Sequence, residues 1–318
     1  MVACADPGAP SGDSPEALAQ LRATHCGYVR QSLTAYAGTN SLVVTCDSSY
    51  AWISSTGIQW AHPMMTGITA TNQQVPLAQN FTGSNAWRIP LVPQVASSKT
   101  TAIDGPIGIA VNGIPIFNPC KQGGCSGPGG GDTKALGELD LCNGHAGRAD
   151  DYHYHAAPTC LMADQPAAYW DTHPVGWALD GYAIFGYRDA DGAVATRDGV
   201  CGGNTRPHPN APEGYAYHVT DVSPYVLSCF YGVPSPDLAG QGAKFSPLRP
   251  PGTPMPASNL TLDATASSLA LGGTTTMAWQ SGGHAYAVRY TRTSTVCWRF
   301  TFTTDGTVTS TTDYCRAR

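Results

Sequence analysis

Charged side chains are scarce in this sequence: Asp, Glu, Lys and Arg make up 12% of its 318 residues, about half the usual share. There is no basic run and the formal net charge is −5. That balance argues against nucleic acid as a partner, because a phosphate backbone is gripped by clustered Lys and Arg. No stretch approaches the roughly eighteen consecutive apolar residues of a membrane-spanning helix. C-x-x-C is absent, which argues against a zinc ribbon or a thioredoxin-type site. G-x-S-x-G is absent too, and Ser126 in Gly124-Cys125-Ser126-Gly127 misses that nucleophile spacing by one residue. The glycine-rich loop around it lacks the Lys-Ser/Thr and following helix of a phosphate cradle.

Glycine and proline, by contrast, number 61 together, and there are 11 cysteines. A chain rich in turns and cysteine and poor in charge suits an oxidising compartment and disulfides. The short-loop candidates are Cys26 with Cys46, Cys120 with Cys125, Cys142 with Cys160, Cys201 with Cys229, and Cys297 with Cys315. Cys4 is left over. Following Val2-Ala3, it resembles the lipid-acceptor end of a bacterial lipoprotein signal, and the chain reads as a mature form. The expected location is secreted, periplasmic or on the outer surface as a lipoprotein.

The histidines are unevenly spread. Of nine, His145, His153 and His155 fall within the stretch Asp140–Cys160, DLCNGHAGRADDYHYHAAPTC. Read as a strand, Tyr152-His153-Tyr154-His155 puts both imidazoles on one face and both phenols on the other. Asn143-Gly144 is a turn signal that brings His145 back over the same face. Three neutral imidazoles with an open fourth position is a common catalytic metal arrangement, whereas H-x-H alone is more often an ordinary strand face. His62 is a remote fourth candidate, though a histidine just after a strand is usually only a polar end.

The chain also repeats itself. Gly108-Ile-Ala-Val-Asn112-Gly-Ile-Pro-Ile-Phe117 matches Gly176-Trp-Ala-Leu-Asp180-Gly-Tyr-Ala-Ile-Phe185 at an offset of 68 residues. Each reads as a hairpin turning at Asn/Asp-Gly. Tyr215-Ala216-Tyr217-His218 then echoes the first histidine strand, and His208 precedes His218 as His145 precedes His155. Two such halves packed about a pseudo-twofold would bring His208, His218 and Tyr217 into the cleft of the first three histidines. Because Ala216 stands where His153 has its counterpart, a full ligand triad is expected in the first half only.

The expected fold is mainly β: a duplicated hairpin-and-strand domain with disulfides, plus a small C-terminal β-sandwich-like domain. Its divisions are a tether and short helix from Ser14 through Arg22 within 1–40, a core domain at 41–232 with repeats near 105–160 and 173–229, a proline-rich extended linker at 233–258, and an all-β unit at 259–318. His284, in that last unit, falls after Gly-Gly and reads as a loop residue.

The ordered set GIAVNGIPIFNP, DLCNGHAGRADDYHYH, VGWALDGYAIFGY and YAYHVTDVSPYVLSCFYG resembles the YHYH-domain proteins of secreted and surface-attached bacterial chains. The resemblance covers roughly residues 40 to 232 and leaves out the C-terminal 60. It implies no settled activity.

The functional expectation from the residues is a secreted metalloprotein with one transition-metal ion, zinc or copper, on His145, His153 and His155. Imidazole-only ligation disfavours calcium and magnesium, which take oxygen ligands. With zinc the expected reaction is hydrolysis of an ester, amide or phosphate, with Asp180 or Asp151 as candidate general base. Asp180 also fits an ordinary turn. With copper, Tyr152, Tyr154 and Tyr217 suit redox chemistry or metal capture. The alternative is a non-catalytic adhesion or carbohydrate-binding module with structural histidines, in which Trp170 and Trp177 would stack on sugars unless they are core.

Overall fold

The computed structural model describes residues 14–37, 41–72, 74–101, 105–121, 123–126, 130–211, 214–248, 255–256 and 258–316. The lone Cys4 lies outside the described residues. No helix is long and apolar enough to cross a membrane among those described.

The chain opens with helix Pro15–Thr34, whose N-cap Ser14 accepts a hydrogen bond from the Ala17 amide at 3.1 Å. The helix runs well past the expected end at Arg22. Its second half carries His25, Cys26, Val29 and Leu33 on one buried face, and packing of that stripe carries the helix on where local signals alone gave a short one. The Cys26–Cys46 disulfide ties it to a three-stranded antiparallel sheet of Val43–Cys46, Tyr50–Ser54 and Trp87–Pro90.

The centre of the molecule is an eight-stranded sheet. In chain order its strands are Pro106–Ala110 (β1), Pro115–Phe117 (β2), Gly144–Ala146 (β3), Tyr152–Tyr154 (β4), Gly176–Ala178 (β5), Ala183–Phe185 (β6), Gly203–Asn204 (β7) and Ala216–His218 (β8). In space they run β7-β8-β6-β5-β1-β2-β4-β3. That order reads the same from either end once β1 to β4 are equated with β5 to β8, so the sequence duplication is a structural one. The halves meet where β1 and β5 pair antiparallel, Ile109 opposite Trp177 and Gly108 opposite Ala178.

Close approach at this seam needs glycine on both sides. A Cβ on Gly108 would lie 2.7 Å from the Trp177 carbonyl oxygen and 3.2 Å from Ile184 Cδ1; on Gly176 it would lie 2.7 Å from the Ile109 oxygen and 3.2 Å from Ile116 Cδ1. The two halves are therefore alike down to the packing of single atoms. β2 pairs parallel with β4, and β6 with β8. The register puts Tyr154 and Tyr217 on one face of the sheet and the histidines of both halves on the other.

All five expected cysteine pairs are bonded. Cys142–Cys160 and Cys201–Cys229 hold equivalent places in the two halves. The proline-rich segment is not wholly extended: Asp237–Lys244 forms a helix. Its buried Asp237 receives the Arg88 amide at 2.8 Å and Arg88 Nε at 2.7 Å, with Lys244 Nζ 3.2 Å away. The C-terminal β unit is a five-stranded antiparallel sheet, Ser258–Asp263 through Thr307–Cys315, in simple chain order. Its Leu260, Met277, Val288, Tyr290, Trp298 and Phe300 join the same hydrophobic core as the eight-stranded sheet. Tyr290 Oη donates to the Pro76 carbonyl at 3.3 Å and Arg316 donates to that of Ala78. His284 opens strand His284–Arg292 and pairs with Asp305 at 2.7 Å, rather than lying in a loop.

Candidate metal centre

The first histidine cluster is built by the β3–β4 hairpin. Asn143 takes a left-handed backbone, φ 67°. Asp140 Oδ1 accepts the amides of Cys142 and Gly144, each at 2.9 Å, closing the turn that the Asn-Gly signal predicts. β3 then pairs with β4 so that His145 stands directly opposite His153. His155, two residues on, projects from the same face.

The three rings converge on their Nε2 atoms. His153 Nε2 lies 2.9 Å from His155 Nε2, and His145 Nε2 lies 3.1 Å from it. The outer nitrogens are held from behind. His153 Nδ1 donates to Asp151 Oδ2 at 2.9 Å, and His155 Nδ1 donates to the Asn118 carbonyl. The Glu138 carbonyl faces the His145 ring. Carboxylates and carbonyls accept only, so the Nδ1 atoms of His153 and His155 carry protons, and each ring when neutral presents an Nε2 lone pair to the cluster.

His153 is stacked on Phe117 at 3.8 Å with an interplanar angle of 12°. Burial drives His145 down to about 3 and His155 well below the usual imidazole range, with the neighbouring His153 adding to both shifts. A cation among the three Nε2 atoms would take a lone pair from each neutral ring and so account for their close approach. Nitrogens around a tetrahedral zinc lie about 3.3 Å apart, each about 2.0–2.1 Å from the ion. The observed separations match that within a few tenths of an ångström.

Gly147 makes the arrangement possible. A Cβ there would lie 2.7 Å from His153 Cε1 and 3.0 Å from Asp151 Oδ1. The Cys142–Cys160 disulfide brackets the hairpin.

The other expected site residues fall elsewhere. Of the four candidate catalytic residues only Asp151 touches the cluster, and its Oδ1 also receives the Ala149 amide at 3.2 Å. Tyr152 and Tyr154 are on the opposite face: Tyr152 Oη donates to Asp140 at 2.7 Å, and Asn112 Nδ2 donates to Tyr154 Oη at 3.0 Å. Asp180 is fully buried on that same face, accepting Tyr217 Oη at 2.6 Å and the Gly232 amide at 2.8 Å. Burial raises the carboxyls of Asp140 and Asp180 to about 6 each. These Tyr–Asp and Tyr–Asn pairs bolt the hairpins to the histidine strands.

His62 pairs with Asp164 at 2.9 Å and stays out of the cluster. Trp170 and Trp177 are buried at 1% and 0% exposure, with Nε1 donating to the Met162 carbonyl and to Ser32 Oγ. Neither ring is available to stack on a sugar.

The expected shared cleft does not form. His208 and His218 lie at the other end of the sheet, five strand steps from β4, on the order of 24 Å along it. Tyr217 points to the tyrosine face. The sequence reading missed Asp189, which joins His208 and His218 in a second trio. It sits in Arg188-Asp189-Ala190-Asp191-Gly192, which reads as an ordinary turn. The repeat offered a signal, since Phe185 matches Phe117 and the residues after each form the wall of a histidine cluster.

A trio of converging imidazoles on a duplicated, disulfide-bonded β scaffold defines a candidate metal centre. The profile of the family described as YHYH protein matches residues 86–200. That stretch spans the first hairpin, the whole first cluster and the second hairpin, so this part of the chain carries a YHYH domain. The repeated Tyr-x-Tyr-His strand lies beyond the match. No curated protein and no solved structure matches the chain.

Proposed function

We propose that this protein is an exported metalloprotein that holds one zinc or copper ion on His145, His153 and His155. The observation that carries the reading is the 2.9 Å approach of two Nε2 atoms whose partner nitrogens are already committed as donors. A neutral three-imidazole donor set suits zinc and copper rather than oxygen-seeking ions. Five disulfides among the described residues support an oxidising, extracytoplasmic location.

A bound ion would supply Lewis acidity if zinc and one-electron chemistry if copper. The protein's part is orientation. Asp151 and the Asn118 carbonyl orient the rings of His153 and His155, Phe117 fixes one ring plane, and His145 is the least covered of the three. The carboxylate that touches the cluster is engaged with His153, and the tyrosines face away. This favours metal binding or capture over a hydrolase that relies on a side-chain base.

The test is elemental analysis by plasma mass spectrometry on protein exported to an oxidising compartment and purified without a histidine tag or chelator. Zinc or copper retained by the wild type and reduced by one equivalent per chain in His153→Ala supports the reading. Metal content that His153→Ala and His155→Ala leave unchanged overturns it. A histidine-independent binding module is the second reading; it would keep its ligand after exhaustive chelation.

A further inference from the structure

Asp189, His208 and His218 are all more than nine-tenths buried. His218 Nε2 lies 3.2 Å from His208 Nε2 and 3.4 Å from Asp189 Oδ1, and Asp189 Oδ1 is 3.9 Å from His208 Nε2. His218 Nδ1 donates to the Gly186 carbonyl at 3.0 Å, as His155 Nδ1 does to that of Asn118. With Nδ1 so engaged, His218 turns its Nε2 toward a carboxylate oxygen and a second imidazole nitrogen. The three donor atoms lie close enough together to share one ion.

The duplication explains how the trio arose on a strand that lacks a second histidine. β7 pairs with β8 as β3 pairs with β4, placing Asn204 opposite Ala216 where the first half has His145 opposite His153. Both inner positions of the first cluster are thus lost. His208 fills one from the following loop, stacking on Phe185 at 4.2 Å and 19° as His153 stacks on Phe117. Asp189 fills the other, oriented by Asn204 Nδ2, which donates to its Oδ1 at 2.8 Å. Arg206 stands 3.3 Å from its Oδ2. A lost pair of ligands replaced by two residues from elsewhere in the chain is hard to account for by packing alone.

From this geometry we infer that Asp189, His208 and His218 form a second metal site, a two-histidine, one-carboxylate set for a divalent first-row transition ion. Its coordination is left incomplete by the protein. Two imidazoles and a carboxylate are the donors of open iron(II) centres and resemble those of catalytic zinc sites. The anionic oxygen ligand lowers the net charge of the occupied site and shifts its preference toward harder ions than the three-imidazole site takes. The two ends of the sheet thus hold different metals, or the same metal with different affinity.

The test uses the full chain, freed of metal by chelation, loaded with cobalt(II) as probe, and counted by plasma mass spectrometry after desalting. Two cobalt ions per wild-type chain are expected, with one remaining in His208→Ala/His218→Ala and one in His153→Ala/His155→Ala. Because the paired alanine variants remove buried rings, Asp189→Asn serves as the near-isosteric second variant. It should weaken one of the two cobalt sites at least tenfold in a competition titration and leave the other unchanged. Cobalt binding that neither His208→Ala/His218→Ala nor Asp189→Asn alters would make Asp189 and His218 a structural ion pair and overturn the inference. The two sites fail separately: loss confined to the His208/His218 variant would sink the first site and uphold the second.

Discussion

Asp151 Oδ2 lies 2.9 Å from His153 Nδ1, two residues further along the chain. The carboxylate thus acts through the imidazole, fixing its tautomer and raising its basicity toward whatever Nε2 meets. Asp151→Asn should lower the affinity of the His145, His153, His155 site about 10- to 100-fold without changing the metal stoichiometry at saturation. Competition against a chromophoric chelator measures this; an unchanged affinity would make the contact incidental.

Gly147 tests the same geometry without touching a ligand. The Cβ of Gly147→Ala would meet the His153 ring at 2.7 Å. Metal affinity should fall at least tenfold, with the far-ultraviolet spectrum and the disulfides retained. His62→Ala is the matching control. Its ring is engaged with Asp164, so metal content should be unaffected.

Tyr152 hydrogen-bonds the buried Asp140 on the face away from the imidazoles. Tyr152→Phe leaves that carboxylate without one of its donors. The cost should be about 1–3 kcal/mol of unfolding free energy, read from the urea midpoint, with no change in metal stoichiometry. A variant that loses metal at full stability would mean the phenol serves the site.

Stability of the metal-free protein should fall on acidification. Burial lowers His25 to about 4 and His218 to about 4, and lowers His208 as well. A group whose folded pKa is depressed contributes stability that is fully present above its unfolded pKa, here about 6.5, and is lost as pH falls toward the folded value. Asp140 and Asp180 act the other way, since their raised carboxyls favour the folded state as pH falls from about 6. The histidines outnumber them, so the net loss should lie between pH 6.5 and 4. His25, tilted against Trp177 with ring centroids 5.2 Å apart and a member of neither cluster, isolates one contribution. His25→Leu should flatten the pH dependence of the urea midpoint by about one proton, and an unchanged slope would show that the ring is protonated in the folded state.

What the sequence determined by itself is local in origin. The period of two in Tyr152-His153-Tyr154-His155 put both rings on one face, Asn143-Gly144 turned His145 onto it, and short spacings along the chain matched every disulfide. The repeat of two Asn/Asp-Gly hairpins predicted a duplicated β core, because a hairpin is specified by residues close in sequence. Tertiary structure decided the rest. The strand order set the two histidine clusters at opposite ends of one sheet, since the halves join through β1 and β5 at their centre. It turned Tyr152, Tyr154, Tyr217 and Asp180 into supports behind the sheet, gave Asp151 a ring to orient, and drew Asp189 and His208 from loops to complete a second trio. Those roles depend on contacts between segments far apart in the chain, and no periodicity or spacing encodes which loop will close over which strand.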